Sequence, residues 1–317
     1  MDDRSLAAFS LTTKLGDSAA DPLTAKHFWP LLGCVPKLET LVGMSESEIQ
    51  EKILNTSIDP GRVVALLDRG IGLAHHLSEL QNRGITVIAG CSDQYPDRLK
   101  TFLRTAAPPL LYAAGDPRLL GPEGGLGVVG SRDVSAEGRE VAQNAAIWAQ
   151  RNKTVLISGG ARGVDQISMQ TAFEVGGQVI GVLADSLEKT LNNAQNRQAV
   201  LDGEALLCTP YNPTSGFSTG NAMGRNKLIY ALSKTTLVIA TAQGSGGTWS
   251  GATEAIKRNF GSVTVWRGPG EGPGNRALEE DGAIPITDLD ELANTGPVSP
   301  TINEQVALPF NNDVTES

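Results

Sequence analysis

Two different periods of apolar residues run along the chain. Between residues 22 and 80, apolar residues recur at steps of three and four, which predicts several short amphipathic helices. Further along, short apolar runs rich in β-branched residues alternate with helical segments. These runs cover residues 85–89, 126–129, 154–157, 178–183, 236–240 and 263–266. Strands that alternate with helices predict an α/β fold with a doubly wound, mostly parallel sheet and right-handed connections.

The pattern also divides the chain into four segments. Residues 1–20 are polar and aperiodic, so we expect a flexible leader, and residues 21–82 are predicted to form a small helical domain. Residues 83–282 contain the α/β domain. Residues 283–317 hold six acidic residues and no Lys or Arg, which predicts an acidic, disordered tail.

Composition and charge limit the class of protein. A chain of 317 residues that is 40% hydrophobic can bury a sizeable core. No run approaches about 18 apolar residues and no signal-peptide pattern opens the chain, so we expect a cytoplasmic protein without a membrane partner. Three widely spaced cysteines lack metal-ligand spacing and are expected to be reduced thiols. The predicted tail supplies −6 of the net charge of −9, and the nearly neutral remainder can still carry a local basic groove.

The stretch from Val155 to Asp165 has the form of an anion-binding turn. It reads Val-Leu-Ile-Ser-Gly-Gly-Ala-Arg-Gly-Val-Asp, an apolar strand that breaks at glycines before a helix-compatible segment. A strand that passes through glycines into a helix presents backbone N–H groups to an anion. Arg162 adds a fixed positive charge to this turn. A tight strand-to-helix turn with a surface arginine explains the stretch alone equally well.

Two further glycine-bearing turns follow predicted strands, at residues 130–132 and 244–248. In a doubly wound sheet such turns share the carboxyl edge, where ligands bind. Four cations would then crowd one pocket: Arg132, Arg162, Arg225 and Lys227. Clustered guanidinium groups beside exposed backbone donors suit a phosphodiester or another polyanion. The four residues could equally be unrelated surface charges.

Catalysis and cofactor binding find little support in the sequence. All three histidines precede residue 80, so histidine chemistry is not expected near the turns. Gly125, Gly127 and Gly130 match a dinucleotide-binding expression, but they lie before and within the strand, whereas that motif needs them after it. We therefore predict no catalytic residues, no cofactor and no metal.

Several short motifs together resemble the DprA/Smf family of DNA-processing proteins. The matching pieces stand in family order across roughly residues 85–270. They include Tyr95-Pro96, Pro108-Pro109-Leu-Leu-Tyr112, Val128-Val-Gly-Ser-Arg132, Ser158-Gly-Gly-Ala-Arg-Gly-Val-Asp165, Leu206-Leu207, Arg225-Asn226-Lys227-Leu-Ile, and Ser245-Gly246. Each piece alone is weak, and the combination is specific.

The resemblance implies an extended Rossmann-like domain that binds single-stranded DNA, forms a homodimer and delivers the strand to a RecA-type recombinase in natural transformation and recombination. The helical segment stands where that family often has a SAM-like domain. Carried over residue by residue, it implies twelve candidate DNA- or phosphate-binding residues. They are Ser131, Arg132, Ser158, Gly159, Gly160, Arg162, Gly163, Arg225, Asn226, Lys227, Ser245 and Gly246.

Three departures from the family leave other functions open. Residues 221–224 read Asn-Ala-Met-Gly where the family usually has Phe-Pro and a further Arg, and the acidic tail stands where many members carry a winged-helix domain. Residues 244–249 resemble the glycine turn of related nucleotide phosphoribohydrolases, for which Glu254 is the only candidate acid, at the wrong spacing. The alternatives are a nucleotide sensor or nucleoside-monophosphate phosphoribohydrolase-like enzyme, a pure interaction protein, or a mobile-element or phage-defence role beside a partner encoded in the same operon.

Overall fold

The computed structural model describes residues 1–16 and 20–295, and it contains one mixed sheet covered by helices. The strands within these residues are β1 (Thr86–Ala89), β2 (Leu110–Gly115), β3 (Gly125–Val129), β4 (Leu156–Ser158), β5 (Val179–Val182), β6 (Ala205–Thr209), β7 (Ser233–Val238), β8 (Ser262–Trp266) and β9 (Ile284–Ile286). The helices of the N-terminal part are α1 (Asp3–Thr12), α2 (Ala25–Cys34), α3 (Glu46–Lys52), α4 (Pro60–Leu67) and α5 (Gly70–Asn82). The helices that follow are α6 (Asp97–Leu103), α7 (Ala136–Arg151), α8 (Val164–Glu174), α9 (Leu187–Leu191), α10 (Ala194–Leu201), α11 (Thr219–Leu232), α12 (Gly246–Arg258) and α13 (Asn275–Glu280).

The strand order confirms the predicted α/β fold with a mostly parallel sheet. Across the sheet the order is β1-β2-β6-β5-β4-β3-β7-β8-β9. The strands from β6 to β9 in this order run parallel to their neighbours, while β1 and β2 are antiparallel at one edge. The chain builds outward from β3 in both directions, so β3 and β7 flank the point where the strand order reverses. A crevice forms at the carboxyl ends of the strands at such a point.

The helices of the α/β domain cover both faces of the sheet. On one face α7 packs against α8, and on the other α11 packs against α12. Two separate buried clusters reflect these two layers. Val141 and Ala145 of α7 belong to one cluster, and Leu228 and Leu232 of α11 belong to the other. This arrangement brings the starts of α7, α8, α11 and α12 to the same edge of the sheet.

The first residues of the chain form a docked helix, so the prediction of a flexible leader is wrong for the part that the structure describes. The side chains of Phe9 and Leu11 in α1 are fully buried. The carboxylate of Asp2 accepts the N–H of Ser5 at 2.8 Å, and Arg69 donates to the carbonyl oxygens at the other end of the helix. The sequence pattern missed this helix because its partners, the helical domain and β1, lie far along the chain. Residues 17–19 lie outside the described residues.

The start of the predicted tail also belongs to the folded domain. Ile284–Ile286 forms the edge strand β9, parallel to β8, and a 3₁₀ helix follows at Leu289–Asn294. Leu292 is buried there, and the indole N–H of Trp148 donates to Asp290 at 3.1 Å. A strand of three residues is too short to show a period, and its stability comes from β8. The remaining predicted tail, residues 296–317, lies outside the described residues.

A buried tyrosine connects the end of α1 to the sheet, and its burial is expected to lower the free energy of unfolding at alkaline pH. The Tyr112 hydroxyl lies 2.9 Å from the Thr13 hydroxyl, and burial raises the pKa of Tyr112 from 10.0 to about 12. The protonated form is favoured in the folded state, so its contribution is complete below pH 10 and is lost as pH rises toward 12. We expect the free energy of unfolding to fall by about 2–3 kcal/mol over this range, from two pKa units at about 1.4 kcal/mol each. Urea unfolding should show a smaller fall in Tyr112→Phe, and equal falls in both proteins would contradict the assignment.

None of the helices in the described part of the chain combines the length and the apolar composition that crossing a bilayer requires.

Candidate nucleic-acid interface

A pocket of about 570 Å³ occupies the crevice between the ends of β3 and β7. Four parts of the chain line it: the turn after β3, the start of α8, α11 with the loop before it, and the turn from β7 into α12. Six of the predicted site residues are among the lining residues: Ser131, Arg132, Arg225, Asn226, Ser245 and Gly246. The pocket therefore lies where open α/β sheets bind ligands.

Of the turn from Ser158 to Gly163, only Ala161 lines the pocket, and the predicted site residues of this turn lie behind its wall. The Ser158 hydroxyl is buried and donates to the carbonyl oxygen of Val128 at 2.7 Å. Gly160 and Gly163 adopt positive φ angles of 68° and 86°, and a Cβ at Gly163 would overlap the carbonyl oxygen of Ser131. These contacts hold the turn against the end of β3 and so fix the wall that carries Ser131.

Arg225 and Asp165 are two buried charges of opposite sign that line the pocket. Both residues are only 5% exposed. Burial raises the pKa of Asp165, and the charge of Arg225 opposes that rise; burial lowers the pKa of Arg225, and Asp165 opposes that fall. The Asp165 carboxylate also accepts the N–H of Gly159 at 3.1 Å. The Arg225 Nε is buried without a hydrogen-bond partner, and other atoms of the side chain line the pocket.

Gly159 allows the Arg225 guanidinium to reach this position. A Cβ on Gly159 would overlap the Nη1 atom of Arg225. The guanidinium thus lies directly against the backbone of the turn after β4. The predicted role of Gly159 was close approach of the backbone to a ligand, and the structure shows close approach to an arginine side chain.

Arg132 stands at the mouth of the pocket beside exposed apolar side chains. Its guanidinium carbon lies 5.8 Å from the centroid of the Phe217 ring, a cation–π contact between two walls of the pocket. The side chains of Phe217 and Met223 are 58% and 49% exposed. The mouth therefore combines one exposed positive charge with an apolar lip that a nucleobase could contact.

The first turn of α12 supplies backbone donors to the opposite wall. Ser245 precedes the helix but its side chain forms no capping hydrogen bond, and Gly246 has a positive φ of 86° with open space around it. Asn226 donates to the carbonyl oxygen of Gly247 at 3.1 Å, and Thr248 donates to that of Gly130 at 2.9 Å. Both bonds hold this turn beside the pocket. The unpaired N–H groups and the dipole of the helix favour an anion there.

The structure places the other two predicted cations outside the pocket. Arg162 is exposed and forms an ion pair with Asp133 at 2.7 Å. Lys227 is half-buried beside α12, where burial lowers its pKa, Glu254 opposes that effect and Arg258 adds to it.

Residues two apart on a helix face different directions, so Arg225 and Lys227 cannot both point into one pocket. The pocket thus gathers Arg132 and Arg225, and the charge of Asp165 partly offsets them.

Sequence reasoning missed the apolar lip of Phe217 and Met223. Their only signal was the presence of two large apolar residues in the long polar segment that follows β6 and continues into the first turns of α11. Tyr230 was also missed as a lining residue, because it reads as one of several apolar positions on the buried face of α11. An apolar pattern does not distinguish a side chain in the core from one that lines a cavity.

The acidic side chains near the pocket are the candidate metal ligands and the candidate catalytic acids. Among the residues that the structure describes, no group of three or more His, Cys, Asp or Glu side chains is placed to hold a metal ion. Glu254, the candidate acid for a phosphoribohydrolase, forms an ion pair with Arg258 at 3.3 Å and does not line the pocket. The carboxylate that does line the pocket is that of Asp165.

Comparisons with known proteins agree with this architecture. A family model described as DNA recombination-mediator protein A matches residues 74–296. The chain is 28% identical to the DNA processing protein DprA of Bacillus subtilis over 172 residues, which are 54% of this chain and 57% of that protein. It is 31% identical to Protein Smf of Synechocystis over 175 residues, 54% of this chain and 43% of that protein. The chain thus spans about half the length of the curated relatives it matches.

Two solved structures share the fold. The X-ray structure of DNA processing protein A from Streptococcus pneumoniae aligns with a TM-score of 0.71 and 21% identity, covering 93% of this chain and 98% of that one. A structure of DNA processing protein A from Helicobacter pylori, whose title concerns a single-stranded DNA binding mode, aligns with a TM-score of 0.54 and 23% identity. It covers 67% of this chain and 94% of that one.

Proposed function

Because this chain belongs to the DNA recombination-mediator protein A family, we propose that it is a single-stranded DNA-binding protein that holds DNA phosphates in the pocket between β3 and β7. The observation that carries the proposal is the convergence of two arginine side chains and a helix start on this pocket. The arginines are Arg132 and Arg225, which both line the pocket, and the helix start is the open first turn of α12. Fixed guanidinium forks and backbone N–H groups are the donors that phosphate oxygens prefer.

A single strand fits this pocket better than a duplex. The pocket is a concave site at one edge of a sheet, and its lip carries the exposed side chains of Phe217 and Met223. Unpaired bases can contact such a lip, and base–aromatic stacking contributes roughly 1–3 kcal/mol per base. Paired bases in a duplex are stacked on each other and do not offer their faces to the protein. We therefore expect preference for single strands without marked sequence specificity.

The same proposal includes the wider role of a recombination mediator. In it the protein acts as a homodimer in the cytoplasm and passes the strand to a RecA-type recombinase during DNA recombination or natural transformation. It works by binding and not by catalysis. The departures at residues 221–224 and 244–249 leave open a variant of this role in a mobile element or in phage defence, beside an operon-encoded partner.

Arg132→Ala should weaken binding to all single-stranded sequences by a similar factor. The arginine is exposed at the mouth of the pocket, so its loss removes one phosphate contact without disturbing the core. The slope of log affinity against log salt should fall by about 0.7–1. Fluorescence anisotropy with labelled oligonucleotides over a salt series measures both quantities. Arg151→Ala, at the far end of α7, is the matched control, and equal affinity and slope in Arg132→Ala and wild type would overturn the pocket assignment.

A nucleotide sensor or phosphoribohydrolase-like enzyme is the second candidate. Asp165, a carboxyl group whose pKa is raised by burial, lines a pocket large enough for one nucleotide. Nucleoside monophosphates should then compete with oligonucleotides, and free base should appear on incubation. Binding of single strands that mononucleotides do not displace, with no base released, would exclude this candidate.

A further inference from the structure

The two helices beside the pocket form a seam that leads away from it. Both α11 and α12 begin at the carboxyl edge of the sheet, next to the pocket, and end at the opposite edge, where β7 and β8 begin. Asn226 contacts α12 at two places, by its hydrogen bond to Gly247 and by an approach to Gly251, where a Cβ would lie 3.3 Å from its Nδ2. The seam is therefore continuous with the wall of the pocket.

Positively charged side chains lie along this seam beyond the pocket. The positions 247, 251, 254 and 258 recur at steps of four and three, so they form one stripe of α12 along α11. On this stripe Glu254 and Arg258 lie close enough to Lys227 of α11 to change its pKa, Glu254 raising it and Arg258 lowering it. Lys257 is exposed beside Arg258. From Gly247 to Arg258 the helix rises roughly 17 Å at about 1.5 Å per residue.

The other side of the pocket lacks an excess of positive charge. There the Arg162 side chain is already paired with Asp133. The first turns of α7 add the exposed side chains of Glu137, Arg139 and Glu140. A polyanion that leaves the pocket on this side would meet three acidic side chains, with Arg139 and the paired Arg162 as the cations among them. On the α12 side it would meet Lys227, Arg258 and Lys257, with Glu254 as the acid among them.

We infer that a bound DNA strand leaves the pocket along the seam between α11 and α12, with its phosphates passing Lys227 and then Arg258. This inference rests on the proposed function. Lys227 was predicted to contact phosphate inside the pocket; it lies outside the pocket and would contact phosphate along the seam. The half-buried ammonium of Lys227 is held at the entrance of the seam, where the strand leaves the contact between Asn226 and Gly247. Glu254 lowers the positive charge of the seam because it pairs with Arg258 at 3.3 Å.

The dependence of affinity on strand length tests this route. Binding of a two-nucleotide and a twelve-nucleotide thymidine strand is compared in wild type and in Lys227→Gln/Arg258→Gln. The variant should bind the short strand as wild type does and the long strand about tenfold more weakly, with a lower salt slope for the long strand only. The control Arg151→Gln/Arg197→Gln removes two exposed arginines from α7 and α10 and should change neither affinity. Two results would overturn the route. In one, the variant gains as much affinity as wild type between the two-nucleotide and the twelve-nucleotide strand; in the other, its affinity for both strands falls by the same factor.

Glu254→Gln gives a change of opposite sign. Removing the acid should strengthen binding of the twelve-nucleotide strand about threefold and leave the two-nucleotide strand unchanged. A purely structural role of the ion pair between Glu254 and Arg258 predicts weaker or equal binding, and either result would contradict the route. If wild type binds neither strand, the proposed function fails and the route fails with it. If wild type binds both strands and the seam variants behave as wild type, only the route fails.

Discussion

Gly159→Ala should abolish binding of single-stranded DNA and destabilise the fold. The new Cβ would overlap the Arg225 guanidinium, which is buried against the backbone of Gly159, so the guanidinium would have to move. Asp165 and Arg225 influence each other's pKa, and separating buried opposite charges costs up to about 3–5 kcal/mol. We expect the free energy of unfolding to fall by about 2–5 kcal/mol, less where the arginine swings into the pocket and retains part of the pairing. Affinity should fall by more than tenfold. A guanidinium that moves into the pocket blocks the phosphate site, and one that moves away no longer contacts the phosphate.

The matched control is an alanine substitution at a second glycine, one without a positive φ angle and without a close neighbour. Gly216 lies in the loop before α11, has no positive φ angle, and would place a Cβ in open space. Gly216→Ala should therefore keep wild-type stability within about 0.5 kcal/mol. Urea unfolding and oligonucleotide binding are measured on both variants. Wild-type stability and affinity in Gly159→Ala would show that Arg225 does not occupy the position described above.

Phe9→Ala should destabilise the protein by about 3–5 kcal/mol, the usual cost of removing a fully buried phenylalanine and leaving a cavity. The Phe9 side chain has no exposed surface, and α1 packs on the helical domain and on β1. A flexible leader would make this substitution neutral. Thermal or urea unfolding distinguishes the two expectations directly.

Phe217→Ala is the matched control for Phe9→Ala, because it removes the same side chain from an exposed position at the mouth of the pocket. We expect it to change the free energy of unfolding by less than about 0.5 kcal/mol. Equal stability of the two variants would mean that the first helix contributes nothing to the fold.

Much of the architecture could be predicted from the alternation of strands and helices. The period of apolar residues depends on local backbone geometry, so it is visible in the sequence without knowledge of contacts. Strands β3, β4, β5, β7 and β8 were found in this way, and so was the position of the glycine turns at one edge of the sheet. Strand β9 was missed because its three residues read Ile-Pro-Ile, and a proline in such a short run argues against a strand.

The positions of the cations could be predicted only in part. The sequence predicted that Arg132 and Arg225 share one pocket, and both are among the residues that line the pocket of the structure. It could not show that Asp133 pairs with Arg162, since the orientation of two exposed side chains is not encoded in a local period. The separation of Arg225 from Lys227 follows from the rotation of α11 about its axis, which packing against α12 and α6 decides.

The fold class, the order of the family motifs and the presence of glycines at strand ends can be read from the sequence, because each of these is a local property of the chain. Which charges meet depends on contacts between distant segments. Gly159 and Arg225 are far apart in sequence, and their contact exists because β4 and α11 adjoin the same pocket. The burial of Arg225 beside Asp165, the docking of α1 and the seam between α11 and α12 all depend on such distant contacts, which no local pattern records.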